Sequence, residues 1–330
     1  MISIQSNWDE LAVQVLQGKD VQKEEALSIL QAKDEELLAI MNAAYRIRSA
    51  YFGNRVKLNY IINAKSGWCP EDCGYCAQSI VSEAPIDKYS LMEKEELIDG
   101  ARRAMERKAS TYCIVASGRG PNRRDLAQVI EAVEEIKATM PIKVCACLGV
   151  LSQDQAELLK EAGVDRYNHN LNTSESHFGK ITSTHTFNDR VQTVERAKAS
   201  GMSPCSGCIV GMGESDEQLV EAAFALKALD ADSIPVNFLH SIPGTPLQDL
   251  KELDPRKCLK VLAMMRFIHP TKEIRISGGR EINLRSMQAM GLYAADAMFV
   301  GDYLTTEGQA AFADHQMIED LGFEIEVASS

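Results

Sequence analysis

The sequence predicts an α/β protein whose architecture is a closed (β/α)8 barrel of the TIM type with an N-terminal helical extension. From residue 56 onward, eight short apolar runs, many of them β-branched, alternate with segments that begin and end like helices, which is typical of a parallel sheet. Eight such units over about 250 residues have the usual size of this barrel. An open, doubly wound sheet is the alternative architecture.

The predicted strands are short, and the interval after each leaves room for a helix. They lie at residues 56–63, 111–117, 143–149, 166–171, 204–211, 233–239, 273–278 and 297–301. Helix starts are predicted by capping-box spacing at Ser90 with Glu93, Ser152 with Gln155 and Ser215 with Gln218. Asp254 before Pro255 predicts another start, and Gly163 and Gly201 predict helix ends.

We divide the chain into three segments. Residues 1–55 form the helical extension, residues 56–305 the barrel, and residues 306–330 a C-terminal segment that packs on the barrel. The N-terminus has no basic start followed by an apolar run, so it does not resemble a secretion signal. No run approaches the roughly 18 apolar residues of a membrane-spanning helix. We therefore expect a soluble, cytoplasmic protein.

Charge and cysteine content narrow the function classes. The 330-residue chain carries 35 basic and 47 acidic residues, a net charge of −12, which argues against a nucleic-acid-binding surface. In a reducing compartment, its nine cysteines indicate metal binding or catalysis rather than disulfides. Cys258 is the expected exception, because a lone cysteine in an amphipathic helix acts as a small apolar residue.

Three cysteines follow the first predicted strand: Cys69, Cys73 and Cys76, spaced C-x-x-x-C-x-x-C. They therefore belong to the C-terminal face, where barrel enzymes carry their catalytic residues. Each iron of a cubane [4Fe–4S] cluster takes one ligand from outside the cluster, so three thiolates leave one iron free to bind a small molecule. Zinc is the alternative, but a structural zinc site needs four protein ligands.

Further motifs carry a resemblance to a known family. Tyr75 precedes the last of the three cysteines, and "GCIVGMGE" (207–214) has the pattern G-x-I-x-G-x-x-E; both resemble the radical S-adenosylmethionine (SAM) superfamily. From about residue 40 to residue 305, the chain resembles the biotin synthase family, particularly its Gram-positive bacterial form. The runs that carry this resemblance are "CPEDCGYCAQS", "YNHNLNTS", "CSGCIVG", "SIPVNFL", "GTPL" and "RISGGRE".

The resemblance implies a radical reaction on dethiobiotin. The open iron chelates SAM, an electron from the cluster cleaves SAM to methionine and a 5′-deoxyadenosyl radical, and sulfur is inserted to give biotin, with one SAM consumed per carbon–sulfur bond. Arg190 would pair with the SAM carboxylate, although on the residues alone it could equally be a solvated charge at a helix start. The residues implied for SAM are Tyr75, Ser117, Gly118, Asn172, Arg190 and Ile209.

Cysteines on separate strands suggest a second site. Because side chains alternate along a strand, selected positions on different strands meet inside a barrel. The resemblance implies an auxiliary [2Fe–2S] cluster that donates sulfur, with the ligands Cys113, Cys145, Cys205 and Arg275. On the residues alone, Arg275 could be a buried cation paired with a carboxylate. Cys147 and Cys208 are either packing residues or ligands of a different auxiliary cluster, and Cys208 is expected to face away from Cys205.

The fourth predicted strand carries asparagines with a period of two. Asn168, Asn170 and Asn172 are expected on one face, and because asparagine is depleted in strands, they indicate a polar wall that faces a ligand. The resemblance assigns Asn168, Asn170 and Asn237 to dethiobiotin, and Asn172, where many family members carry aspartate, to the SAM ribose. His169 is expected to be a hydrogen-bonded partner behind the sheet rather than a base.

The resemblance also implies a homodimer and an electron donor such as flavodoxin or ferredoxin. Two alternatives stay open: another radical SAM enzyme on the same barrel, and a non-catalytic iron–sulfur protein that carries electrons or serves as a cluster scaffold. The second alternative leaves "GCIVGMGE" and the polar strand ends unexplained.

Overall fold

Parallel strands that are buried on both faces form the barrel wall, which is why their sequences are nearly continuous apolar runs. The computed structural model describes residues 7–327. Its strands are β1 (Arg55–Lys65), β2 (Thr111–Ala116), β3 (Lys143–Cys147), β4 (Arg166–Asn168), β5 (Ser203–Cys205), β6 (Cys208–Val210), β7 (Ser233–Phe238), β8 (Glu273–Ile276), β9 (Ala297–Phe299) and β10 (Glu324–Glu326).

The sheet closes into a ring. Its strands follow one another in the order β1, β2, β3, β4, β5, β7, β8, β9, and β9 pairs back with β1. Strands β5 and β6 both pair with β7, first β5 and then β6 along its length, so together they form one of the eight staves of the barrel. Strand β10 pairs with the first residues of β1. The predicted (β/α)8 barrel is confirmed, and the open sheet is excluded.

Two predicted strands differ from expectation. The run 204–211 divides into β5 and β6 because the neighbouring β7 contains Pro235. The Ser206 amide donates to the Ser233 carbonyl at 3.0 Å; residue 235 would donate back to Ser206 in a parallel ladder, but proline has no N–H. Strand β4 ends at Asn168 rather than at residue 171, and the chain beyond it turns, with Asn172 at a φ of 71°.

Helices cover the outside of the ring, and three more precede it. They are α1 (Trp8–Leu16), α2 (Lys23–Gln31), α3 (Leu37–Phe52), α4 (Lys94–Glu106), α5 (Arg123–Thr139), α6 (Gln153–Glu161), α7 (Glu175–Phe178), α8 (Phe187–Ala199), α9 (Asp216–Ala228), α10 (Pro255–Ile268), α11 (Arg280–Leu284), α12 (Gln288–Gly291) and α13 (Ala311–Asp320). Helices α2 and α3 of the extension pack against α10. Cys258 lies fully buried in α10 among apolar residues.

Most predicted helix ends are confirmed. Ser152 and Ser215 each accept a hydrogen bond from the amide three residues on, and Asp254 caps α10. Gly163 and Gly201 have positive φ just beyond α6 and α8. The predicted start at Ser90 is wrong: Glu93 caps α4 instead, and residues just before Ser90 stay extended because Tyr89 forms a bridge with Ser66.

The C-terminal part of the chain returns to the barrel. Asp314 of α13 is fully buried and accepts two hydrogen bonds from Arg280, at 2.7 and 2.8 Å. Residues 1–6 of the predicted extension and residues 328–330 of the predicted C-terminal segment lie outside the described residues. Within residues 7–327, no helix is both long enough and apolar enough to span a membrane.

Candidate active site

A cavity of about 380 Å³ opens at the C-terminal ends of the barrel strands, a volume typical of small-molecule sites. Two of the predicted site residues, Cys145 and Cys205, are buried beside it. The other predicted residues all line it: Cys69, Cys73, Tyr75, Cys76, Cys113, Ser117, Gly118, Asn168, Asn170, Asn172, Arg190, Ile209, Asn237 and Arg275. The fold therefore brings the residues predicted from distant parts of the sequence to one place.

The loop after β1 carries Cys69, Cys73 and Cys76, and backbone hydrogen bonds fix its shape. The Cys69 amide donates to the Gln78 carbonyl at 3.3 Å, and the Cys76 amide donates to the Cys73 carbonyl at 3.1 Å. The Gly74 amide reaches across to the Ile181 carbonyl at 2.9 Å. The loop is thus folded on itself and tied to the segment that precedes α8.

These three thiols form a donor set that fits iron. Burial raises the pKa of all three, and that of Cys76 to about 12, so metal binding would have to supply the stabilisation that a thiolate needs here. Within the described residues, no three Cys, His, Asp or Glu side chains converge as ligands of a single metal ion. Three soft thiolates around a shared cavity suit the corner irons of a [4Fe–4S] cluster, which lie apart from one another.

A second group of thiols comes from three strands, β2, β3 and β5, of which the last is separated from β3 by β4. Cys113 and Cys145 are register partners on β2 and β3, and the Cys145 thiol is within hydrogen-bonding reach of both Cys113 and Cys205. The bond from Cys145 lowers the pKa of Cys205, and the charge of Arg275 and a bond from Asn168 lower it further, although burial opposes them. The site thus favours a thiolate at Cys205.

Arg275 stands beside this thiolate and over a buried carboxylate. Its Nη2 lies 3.2 Å from the Cys205 sulfur and 3.3 Å from Glu273, and it also donates to the Ser233 hydroxyl. Glu273 in turn accepts two bonds from Arg166, at 2.9 and 3.1 Å. The buried Nε of Arg275 has no hydrogen-bond partner within residues 7–327, so this arginine is not satisfied by the surrounding protein alone.

The two additional cysteines face opposite ways. Cys147 lines the cavity one layer above Cys145 on β3, and burial raises its pKa to about 12. Cys208 packs into the main apolar core instead. Cys147 therefore borders the site, and Cys208 does not.

The asparagines all reach the cavity, but their side chains have different partners. Asn168 donates to Asn170 at 3.1 Å and to the Cys205 sulfur at 3.2 Å. Asn170 accepts from the Gly207 amide at 3.1 Å. Asn237 joins two strand ends, because it donates to the Cys208 carbonyl at 3.1 Å and accepts from the Gly278 amide at 3.0 Å.

Arg190 and Asn172 form the wall nearest the cysteine loop. When the Asn172 amide is oriented with its oxygen toward both neighbours, that oxygen accepts from the Tyr75 hydroxyl at 2.5 Å and from both terminal nitrogens of Arg190 at 3.2 Å. Arg190 is only 8% exposed, so the alternative interpretation, a solvated charge at a helix start, is wrong. His169 also lines the cavity, and its Nε2 has no hydrogen-bond partner within residues 7–327. The prediction that His169 is a hydrogen-bonded residue behind the sheet is therefore wrong.

The "GCIVGMGE" motif forms a tight turn beside Asn172. Glu214 accepts from the Gly211 amide at 2.6 Å and from the Met212 amide at 2.7 Å, which folds the turn over its own carboxylate. The Ile209 amide donates to the Asn172 carbonyl at 2.7 Å. The motif therefore places Ile209 against the cavity through backbone contacts.

Sequence reasoning missed several residues that support the site. Glu273 and Ser233 lie under Arg275, His185 contacts Arg190, and Glu71 contacts His185. Two of them have a local signal that could have found them: Glu71 lies inside the cysteine motif, and Glu273 is two residues before Arg275 on the same strand. Ser233 and His185 have none, because only the closed barrel brings them next to the site residues.

Two family models match the chain. Residues 64–226 match the Radical SAM superfamily, and residues 235–324 match the Biotin and Thiamin Synthesis associated domain. A biotin synthase of Bacillus licheniformis is 62% identical over 97% of this chain and 96% of its own length. A biotin synthase of Geobacillus kaustophilus is 62% identical over 98% of this chain and 97% of its own length.

Solved structures share the fold at low sequence identity. Methylornithine synthase superposes with a TM-score of 0.85 at 20% identity, covering 96% of this chain and 97% of its own. The FeFe-hydrogenase maturase of Carboxydothermus hydrogenoformans superposes with a TM-score of 0.81 at 17% identity, covering 98% of this chain and 80% of its own. These likenesses concern the barrel and not its chemistry.

Proposed function

The chain belongs to the biotin synthase family, and on that premise we propose that it converts dethiobiotin to biotin by inserting sulfur between two saturated carbons. Membership in the radical SAM superfamily implies a [4Fe–4S] cluster and SAM, and Cys69, Cys73 and Cys76 are the residues that would hold this cluster. When bound, the cluster supplies the electron that cleaves SAM to methionine and a 5′-deoxyadenosyl radical, which can abstract hydrogen from an unactivated carbon.

The residues around the cavity would hold and orient SAM. Arg190 presents a buried guanidinium to a carboxylate, and bidentate pairing of these two groups fixes orientation as well as position. Asn172 adjoins both Arg190 and Tyr75, and we assign it to the ribose hydroxyls. Ser117, Gly118 and Ile209 border the same region through backbone and small side chains.

Dethiobiotin would bind between the two groups of cysteines. Its cyclic urea both donates and accepts hydrogen bonds, and the amides of Asn168, Asn170 and Asn237 offer both functions. The cavity wall also includes Ile61, Val115 and Phe299, and these apolar side chains suit the hydrocarbon part of the substrate. Holding the reacting carbon near the radical source and keeping solvent out is the protein's main contribution.

We assign the sulfur source to an auxiliary [2Fe–2S] cluster held by Cys113, Cys145, Cys205 and Arg275. The observation that carries the proposal is that the Cys145 thiol lies within reach of Cys113 and of Cys205, which belong to two other strands, and that Arg275 adjoins Cys205 beside the cavity that the Cys69 loop also lines. An electron donor such as flavodoxin or ferredoxin, a homodimeric assembly and a cytoplasmic location complete the proposal.

An anaerobic assay tests the proposal. Reconstituted protein is incubated with SAM, a reductant and dethiobiotin, and mass spectrometry quantifies 5′-deoxyadenosine and biotin. We expect both products, both dependent on dethiobiotin. Deoxyadenosine without biotin would identify another radical SAM enzyme, and neither product from protein with verified clusters would favour an electron carrier or scaffold.

Cysteine variants separate the two sites in the same assay. Cys69→Ala should abolish SAM cleavage, whereas Cys205→Ala should retain much of it and make no biotin. Cys258→Ala is the matched control, since Cys258 is buried in α10 away from the cavity, and it should behave as wild type. Normal biotin formation by Cys205→Ala would refute the sulfur-donor assignment.

A further inference from the structure

A buried chain of polar side chains joins the cysteine loop to Arg190. Glu71 lies between Cys69 and Cys73, and its carboxylate is 2.5 Å from Nδ1 of His185. On the other side of the imidazole, Nε2 of His185 is 3.0 Å from Nε of Arg190. Glu71, His185 and Arg190 are 6%, 7% and 8% exposed, so water does not compete strongly for these bonds.

The partners of His185 fix its tautomer. The Glu71 carboxylate only accepts, and the Arg190 guanidinium only donates. His185 must therefore carry its proton on Nδ1 and accept at Nε2, which makes it a neutral link between an anion and a cation. The Phe178 ring packs edge-on against the imidazole at a centroid distance of 5.6 Å, which further restricts its rotation.

His185 also keeps Glu71 and Arg190 apart. The imidazole stands between the two groups and makes one hydrogen bond to each of them. Glu71 receives bonds from Arg119 at 3.1 Å and from the Thr184 hydroxyl at 2.5 Å, in addition to His185. The Glu71 carboxylate is therefore hydrogen-bonded by its neighbours Arg119 and Thr184, and within residues 7–327 no carboxylate forms an ion pair with Arg190.

The link fixes which edge of Arg190 faces away from the cysteine loop. With Nε directed at His185, the two terminal nitrogens point the other way: one donates to the Asn170 carbonyl at 2.8 Å, and both lie 3.2 Å from the Asn172 oxygen. These two nitrogens form the fork that pairs with carboxylates; Arg190 and Asn172 both line the cavity, and a ligand carboxylate would bind the fork in place of the Asn172 oxygen. Without the acceptor at Nε, the guanidinium could turn toward Glu71 and withdraw the fork.

We propose that His185 is a positioning residue for SAM binding: it separates Glu71 from Arg190, orients the carboxylate-binding edge of Arg190, and ties that edge to the loop of Cys69, Cys73 and Cys76. The proposal rests on the assignment of Arg190 to the SAM carboxylate in the proposed function. Such a link would hold Arg190, which binds the SAM carboxylate, in a fixed position relative to the loop of Cys69, Cys73 and Cys76.

The test compares His185→Leu, His185→Gln and Arg190→Leu in protein reconstituted with its clusters. Equilibrium dialysis measures the affinity for SAM, iron analysis verifies the cluster content, and electron paramagnetic resonance of the reduced cluster is recorded with and without SAM. His185→Leu removes both bonds and should weaken SAM binding about tenfold or more at unchanged iron content. It should also raise the KM for SAM more than it lowers kcat.

His185→Gln provides the rescue, because its side-chain oxygen can accept from Arg190 Nε where the imidazole did; its SAM affinity should lie between those of His185→Leu and wild type. His269→Gln is the matched control, because His269 is equally buried (3% exposed) but lies at the end of α10, and it should bind SAM normally. The double variant His185→Leu with Arg190→Leu should bind SAM no more weakly than Arg190→Leu, since both act through one guanidinium.

Three results would overturn the proposal in distinguishable ways. If Arg190→Leu weakens SAM binding but His185→Leu does not, His185 has no positioning role and the proposed function stands. If Arg190→Leu binds SAM like wild type, the assignment of Arg190 itself is wrong, and the role of His185 fails with it. A loss of iron in His185→Leu at normal SAM affinity would show that the residue only supports the loop.

Discussion

Glu273 is a buried carboxylate inside the barrel with several cationic neighbours, and Glu273→Gln tests how much it contributes to stability. The side chain is 4% exposed. It accepts from Arg166 at 2.9 and 3.1 Å and from the Ser233 hydroxyl at 2.7 Å, and it lies 3.3 Å from Arg275 and 3.6 Å from Lys57. Burial alone would raise the pKa of Glu273, but the charges of Arg166 and Arg275 outweigh it and hold the pKa far below its usual range.

The magnitude follows from what the substitution leaves behind. Glutamine keeps the shape and one acceptor oxygen but removes the charge, so Arg166 and Arg275 stay buried without an anion. Breaking a buried pair in this way costs about 3–5 kcal/mol, and the acceptor that remains puts the expected loss near the lower end, about 3 kcal/mol. For a chain of 330 residues, that corresponds to a drop in Tm of roughly 4 °C.

Chemical and thermal unfolding of the reconstituted protein at several pH values measure the effect. Because the folded pKa lies below the unfolded value of 4.5, Glu273 contributes its full stabilisation above pH 4.5 and loses it as the pH falls further. The gap between wild type and Glu273→Gln should therefore be largest at neutral pH and shrink below pH 4.5. Glu135→Gln, which breaks the exposed pair with Lys94, is the control and should unfold like wild type. Equal stability of Glu273→Gln and wild type at pH 7 would refute the reasoning.

Two further predictions concern the backbone and a buried imidazole. Gly279→Ala should prevent stable folding, because Gly279 has a φ of 78° and an added Cβ would lie 1.9 Å from the Phe238 carbonyl oxygen. Gly179→Ala is the control and should fold normally, because a Cβ at Gly179 would have no atom within 4 Å. Soluble yield and circular dichroism compare the two variants. Burial lowers the pKa of His269 to about 3. As the pH falls below the unfolded pKa of about 6.5, the wild type should therefore lose up to about 1.4 kcal/mol of stability per pH unit. In equilibrium unfolding, His269→Gln should show a smaller loss of stability with falling pH, and an unchanged pH dependence would contradict the prediction.

The fold could be predicted because its information is local and repeated. Eight apolar runs alternate with capped helices, and a parallel arrangement needs no contact between distant residues to be recognised. The errors arose where a neighbour decided the local structure. Pro235 on β7 divides the fifth strand, and the bridge between Ser66 and Tyr89 delays the start of α4, and neither effect can be read from the segment that it changes.

The candidate site was predictable to the extent that motifs mark it. The three-cysteine loop has a spacing that is informative by itself, and the asparagines stand out because strands disfavour them. His185 has no such mark, because it is 114 positions from Glu71 in sequence. Glu273 lies two positions before Arg275 on the same strand, so strand alternation puts the two side chains on one face. A residue such as His185, which holds a side chain from elsewhere in the chain, is recognisable only after the fold has brought the two together.

The charged side chains beneath the second group of cysteines do not balance one another. Three cations, Lys57, Arg166 and Arg275, surround the single carboxylate of Glu273, so this part of the barrel has positive charge left over. A buried excess of one sign is costly unless an opposite charge is supplied. The thiolate that the site favours at Cys205 would offset part of this charge, and the thiols of Cys113 and Cys145 would offset more once deprotonated as ligands of the proposed auxiliary cluster. We therefore expect loss of that cluster to weaken this part of the barrel interior, because Arg275 would lose an anionic neighbour.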